Sequence, residues 1–161
     1  MTGAGGEQDC PFCEIVDRDD PDAREVYRDE HTVAFFPTEP AVLGHTMVIP
    51  RVHVPDIWHI DDATAQQLSL TTLRIATAIR DTLHPDGLNI IQSNGEAASQ
   101  SVFHLHIHLV PRKDGDRIGR IWPPESDYSE QQKDEAWELL RAACRAIGSA
   151  ATPGSPPRPR A

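Results

Sequence analysis

His104-Leu105-His106-Ile107-His108-Leu109-Val110 is the stretch on which the fold is read. Imidazoles and aliphatics alternate here with period two. That is the period of a β-strand, whose successive side chains point to opposite faces. Leu105, Ile107 and Leu109 then share a face that packs on a core, and His104, His106 and His108 share the other. Successive rings on that face stand about 7 Å apart. Three imidazoles in an ordinary core would each need hydrogen-bond partners for their ring nitrogens. Three in open solvent would leave a strand face without packing. A binding or catalytic row meets both conditions, and the residues alone leave two roles open, metal ligation and phosphate chemistry. The run is interior and interleaved with aliphatics, which separates it from a purification tag.

The flanking sequence predicts strands, a helix, strands and a helix. A short helical turn is expected over Phe12 to Asp17, then strands at Glu25 to Tyr27, His31 to Phe36 and His45 to Ile49, the last closed by Pro50. Pro37, Pro40 and Gly44 mark the loop between them. From Asp62 to Leu83 the residues Leu70, Leu73, Ala76, Ile79 and Leu83 recur at helical spacing. Asp61 or Asp62 can cap that helix and Pro85-Asp86-Gly87 stops it. Leu88 to Gln92 is a fourth strand, and the His stretch carries a fifth to about Pro111. A last helix opens at Ser129, with Gln132 placed for a capping box and Trp137, Leu140, Cys144 and Ile147 as its apolar stripe. This order predicts an α+β fold: an antiparallel β-sheet with one long central helix and a C-terminal helix.

The chain has 161 residues, one domain by length, with a body from 10 to 148. Residues 1–9 are expected to be flexible, and 149–161, with four prolines, a disordered Pro-rich tail. Asp and Glu number 25 against 15 Lys and Arg, for a formal net charge of -10. That balance argues against a nucleic-acid partner, because such a surface repels phosphate backbones; a local site can still take a small phosphate. No apolar run is long enough for a membrane span and no signal segment is visible, so a cytoplasmic location without a membrane partner is expected. Three cysteines do not make a disulfide scaffold. Cys10 and Cys13 form a Cys-x-x-Cys, which suits metal binding or redox chemistry. The βαβ context of a thioredoxin-like site is missing.

The stretch Gln100 to Arg112 resembles the signature of the histidine triad (HIT) family, His-φ-His-φ-His-φ-φ with φ apolar, without a gap. Cys10-Pro11-Phe12-Cys13-Glu14-Ile15-Val16 is similar to the family's opening, Gly44 to His53 to its second landmark, and Asn94 to Ala98 to the loop before the triad. The likeness runs in order from about Cys10 to Tyr128, and points to the zinc-binding bacterial-type branch.

The resemblance implies a HIT-like fold and nucleotidyl transfer through a covalent histidine intermediate. His106 would be the nucleophile, with His108 as its catalytic neighbour at the phosphate. Asn94, Gln100 and Ser101 fall in the phosphate neighbourhood, and Phe12, Ile15 and Phe35 in the base pocket. Structural zinc would be held by Cys10, Cys13, His53 and His104, pinning the N-terminal turn against the triad, with His45 as the competing ligand. The implied activity is a phosphoramidase-like hydrolase or transferase acting at the α-phosphate of purine nucleotides. The alternatives are a dinucleoside polyphosphate hydrolase or phosphorylase, a non-catalytic zinc-containing nucleotide-binding protein, and a metalloenzyme whose triad itself holds the catalytic zinc. A homodimer is implied, with the long helix at the interface. Three positions depart from the pattern. Pro37 stands where the family often carries a ribose-binding aspartate, Ser93 where Asn or Gln is usual, and Ser99 where Gly is common.

Overall fold

A computed structural model describes residues 10–17, 21–123, 125 and 127–149. The expected leader 1–9 and the tail from 150 onward lie outside the described residues. The chain divides into two compact units, one ending at Gly119 and the other beginning at Arg120.

The first unit is α+β. Its elements are α1 (Pro11–Asp17), β1 (Glu25–Arg28), β2 (Thr32–Phe35), β3 (Thr46–Pro50), α2 (Asp62–Leu83), β4 (Gly87–Gln92) and β5 (Ile107–Arg112), with short 3₁₀ turns at Pro21–Ala23, Ile57–His59 and Glu96–Ala98. The five strands form one antiparallel sheet in the order β1-β2-β3-β5-β4. β5 therefore lies inside the sheet. His108 stands opposite Met47 on one side and Ile91 on the other.

Strand alternation sorts the core into two layers. Val33, Phe35, Met47 and Ile49 pack with Phe12 and Val16 of α1 on one face. Ala34, Val48, Leu105 and Leu109 pack with Leu68, Ile75 and Ile79 of α2 on the other. The aliphatics of the His stretch thus sit under α2, as their spacing predicts. The regular strand, however, starts only at Ile107. His104 to His106 run ahead of it, and the Leu105 N–H donates to the Val54 carbonyl at 2.7 Å.

α2 has the predicted bounds. The Asp61 carboxylate accepts the Thr64 N–H at 2.7 Å, and His84 ends the helix in the left-handed region with φ 46°. Its buried face differs from the expected one. Leu68, Thr71, Thr72, Ile75 and Ile79 point into the sheet, while Leu70, Leu73 and Leu83 are exposed. Apolar residues occupy two faces of this helix, and the sheet takes the one carrying β-branched and threonine side chains. Gly44, before β3, has φ +88°, and a Cβ there would run into Leu83.

In the second unit, α3 spans Glu130–Ser149. The predicted capping box is present: the Ser129 N–H donates to Gln132 Oε1 at 2.9 Å, and the Gln132 N–H to Ser129 Oγ at 3.3 Å. Cys144 is exposed, not the buried small hydrophobe its place on an apolar stripe suggests. Trp137, Leu140 and Ile147 of the same stripe are exposed too, because the described residues of this unit form a single helix with no second layer to bury it. No helix among the described residues is long and apolar enough to cross a membrane.

Candidate active site and metal centre

The three triad rings are buried or half-buried on the α1 face of the sheet, and each has its own partner. The row is not a solvent-facing strip. Its cost of burial is met one ring at a time.

His106 is held by one hydrogen bond, from Nδ1 to the His104 carbonyl at 2.8 Å. A carbonyl only accepts, so Nδ1 carries the proton and Nε2 keeps its lone pair. No described residue takes that nitrogen. The ring lies T-shaped against His108, with centroids 4.8 Å apart, and against Phe12, at 5.2 Å.

His108 obtains its tautomer from a residue 63 positions away. The Ala41 backbone N–H donates to His45 Nδ1 at 3.1 Å, so the proton of His45 sits on Nε2. Nε2 then donates to His108 Nδ1 at 2.9 Å. His108 must therefore carry its own proton on Nε2. The structure sets a lone pair on one ring beside an N–H donor on the next. Burial pushes the pKa values of His45 and His106 below the ordinary histidine value, the latter opposed by its bond to the His104 carbonyl. For His108, burial and then the proximity of His106 and His45 lower it to about 4. All three rings are neutral near pH 7, the form an attacking imidazole requires.

His104 faces the other way. Its Nε2 donates to the Pro50 carbonyl at 2.9 Å, which leaves Nδ1 as a lone pair, and burial lowers its pKa to about 4. That Nδ1 lies 3.6 Å from Cys10 Sγ and 3.5 Å from Cys13 Sγ, and Cys13 Sγ lies 3.3 Å from His53 Nδ1. The four ligand atoms of Cys10, Cys13, His53 and His104 all fall within 4.8 Å of one another. Bond lengths of about 2.3 Å to sulfur and 2.0–2.1 Å to nitrogen at a tetrahedral angle give a sulfur–nitrogen edge of about 3.6 Å. The three sulfur–nitrogen separations, 3.3, 3.5 and 3.6 Å, lie close to it. The donor set fits a closed zinc site, and the Pro50 carbonyl would then hold the His104 ring from its other nitrogen.

His45 is not part of this group. Its ring packs against His108 instead, at 5.1 Å between centroids. The three triad rings do not converge on one point, since His104 faces the cysteines, His106 a backbone carbonyl and His108 His45. This geometry offers no triad-held catalytic metal.

The remaining expected residues are distributed around the rings. Phe12 and Phe35 are buried, with centroids 5.5 Å apart, and Ile15 packs beside them. Asn94 Oδ1 accepts the Ile57 N–H at 2.8 Å, and Asn94 Nδ2 donates to Gln92 Oε1 at 2.8 Å. Gln100 is buried with its amide spent inside the fold. Oε1 takes the Gly95 N–H at 2.8 Å, and Nε2 donates to the Pro55 and Val102 carbonyls at 2.6 and 3.0 Å. It braces the loop and has no N–H left for a phosphate, a correction to the role expected of it. Ser101 is exposed. Pro37 is half-buried and brings no polar side chain. His45 is the residue beside the triad that sequence reasoning did not place there; its local signal is a histidine next to the start of the strand beside the triad.

A family model described as the HIT domain matches residues 18–115. A Bacillus subtilis relative, Protein hit, is 43% identical over 121 residues, covering 74% of this chain and 83% of that protein. Adenylylsulfatase HINT3 of Arabidopsis thaliana is 32% identical over 145 residues, 89% of this chain and 72% of its own length. Among solved structures, a Zn-bound histidine triad family protein from Mycobacterium smegmatis superimposes with a TM-score of 0.65 at 38% identity, over 90% of this chain and 99% of that one.

Proposed function

The chain belongs to the histidine triad (HIT) family, and from that membership we propose that it is a nucleotide hydrolase or transferase that carries a nucleotidyl group on His106. The observation that carries this reading is the His106 Nδ1–H bond to the His104 carbonyl, 2.8 Å long, which leaves the lone pair on Nε2 of a ring packed against His108. Nε2 attacks an α-phosphorus; a P–N bond forms as the bond to the leaving group breaks. Water then releases the nucleoside monophosphate, so that one difficult displacement becomes two easier ones. The His108 Nε2–H donates to the phosphate. A bound anion favours an additional proton on His45 Nδ1, displacing the Ala41 N–H; His108 then gives its Nε2 proton to the leaving atom as the His45 Nε2 proton passes to His108 Nδ1. The attacking water returns it. Positioning and charge stabilisation carry the rest.

The purine base is assigned to the side formed by Phe12, Ile15 and Phe35. Asn94 and Ser101 are assigned to the phosphate side, and Gln100 to bracing the loop between them. Phosphoramidates are the first substrate class to test. The Arabidopsis relative's name makes an adenylyl sulfate the second, and dinucleoside polyphosphates are the third. Zinc in the Cys10–Cys13–His53–His104 group is structural: a closed set has no open position for substrate. The exposed leucines of α2, together with exposed Ile90 on edge strand β4, suit a second copy of the chain, and we assign a homodimer.

Trapping tests the reading. Wild-type protein quenched during turnover should carry one nucleotidyl group, mapped by mass spectrometry to His106. The variant His106→Ala should lose turnover and keep its metal. Activity surviving in His106→Ala would end the proposal, and stoichiometric metal lost with it would favour a triad-held metal.

A further inference from the structure

We propose that Phe12 is a positioning residue for His106, and that the Cys10–Cys13–His53–His104 group sets the position of Phe12. The inference rests on the reading of His106 as nucleophile.

Phe12 is placed between the two cysteines of the ligand group. Cys10 immediately precedes α1 and Cys13 is in its first turn. The Phe12 ring is buried and meets three others edge to face: His106 at 5.2 Å and 85°, Phe35 at 5.5 Å and 74°, and His104 at 6.0 Å and 68°. Among the described residues His106 has a single hydrogen bond, which fixes its tautomer but leaves the ring free to tilt about that bond. Contacts on its faces and edges must supply the second constraint, and Phe12 and His108 are the rings that touch it.

α1 has seven residues, too short to hold itself as a helix, so its place is decided by the core against which Phe12 and Val16 pack and by what grips its ends. At the C-terminal end the Arg28 guanidinium donates to the Ile15 and Val16 carbonyls at 2.9 and 3.0 Å and is itself tied to Glu25. At the other end the grip is the ligand group. Its state reaches His106 by two routes. One runs through His104, whose ring is a ligand and whose carbonyl holds His106 Nδ1. The other runs through Cys10 and Cys13 to Phe12. Emptying the group frees the N-terminal turn while Arg28 keeps the far end docked, so the loss falls on the placement of one ring and not on the fold.

A base-lining role alone would put the effect of changing Phe12 into KM. A positioning role puts it into kcat, because attack depends steeply on the aim of the lone pair. The test uses Phe12→Leu, with Phe12→Met as a second variant should the first fold poorly. Metal content, kcat, KM and the His106 Nδ1 proton signal in NMR spectra of the full chain are compared with wild type. The expected result is full metal, kcat lower by about 10-fold or more on top of any rise in KM from the altered base contact, and an Nδ1 proton that broadens through faster exchange. Wild-type protein stripped by a chelator should show the same kcat loss and the same NMR change, and added zinc should reverse both. Phe12 variants with kcat and the His106 signal unchanged, or with the whole loss in KM, would overturn the proposal. So would stripped protein whose His106 signal and kcat match the loaded form. If wild type forms no nucleotidyl-His106, the nucleophile reading is what falls, and the NMR comparison by itself then decides whether Phe12 positions the ring.

Discussion

His45 Nε2 lies 2.9 Å from His108 Nδ1, and the Ala41 N–H holds the opposite nitrogen of His45 at 3.1 Å. A loop amide thereby dictates, through two rings, which nitrogen of His108 presents a proton to the site. Removing the middle ring lets His108 choose its tautomer freely. His45→Ala should lower turnover by up to about 100-fold, the low end of what acid–base assistance supplies. Substrates with a poor leaving group should suffer most. A leaving-group series in wild type and variant checks this; equal losses across the series would deny the pair its role in proton delivery.

Metal content separates His53 from His45. His53→Ala removes one of four ligand atoms that lie within 4.8 Å of one another, whereas His45→Ala touches none of them. The first should lower zinc affinity by more than about 100-fold, beyond the range seen for outer-shell changes, and the second should leave zinc stoichiometric. Competition against a chromophoric chelator reads both.

Buried neutral imidazoles make stability depend on pH. His108 titrates at about 4 in the folded chain and at the ordinary value, about 6.5, when unfolded. Between those values the unfolded state binds more protons, so this contribution is complete above about 6.5 and is lost as pH falls toward 4. The urea midpoint of wild type should decline over that window, and His108→Asn should flatten the decline. Because burial also lowers His45 and His106, nucleotidylation should persist below pH 6.5 and fail only at more acid pH.

The two faces of α2 should respond oppositely to substitution. Ile79 is buried against the sheet, and Ile79→Ala should cost about 2–5 kcal/mol in folding. Leu73 is exposed in the single chain, so Leu73→Glu should fold normally and, if the proposed homodimer packs through this face, leave a monomer in sedimentation where wild type is a dimer. An unchanged dimer in that variant would place the second copy elsewhere.

The parts of this architecture that could be read from the sequence are those written locally. The alternation from His104 to Val110 specifies a strand with two chemical faces, and the Asp61 cap with the pattern behind it delimits α2. The spacing of Cys10 and Cys13 leaves metal binding and redox chemistry open, and His53 and His104 join that pair only by resemblance. What could not be read depends on strand adjacency. His45 reaches His108 because β3 and β5 are neighbours, with Met47 opposite His108. The buried face of α2 was obscured because its leucines lie mainly on the outer side. The role of Gln100 was hidden because its amide closes on Pro55, 45 residues earlier, a contact no local pattern encodes.

One ribbon of backbone carries the triad rings on one side and the ballast of the interior on the other. Deleting a single residue between Gln100 and Ile107 would shift the reading frame of that ribbon by one pleat. Imidazoles would then be driven under the long helix and leucines turned toward substrate. Neither side can be respaced without the other, so chemistry and folding stand exposed to the same genetic accident.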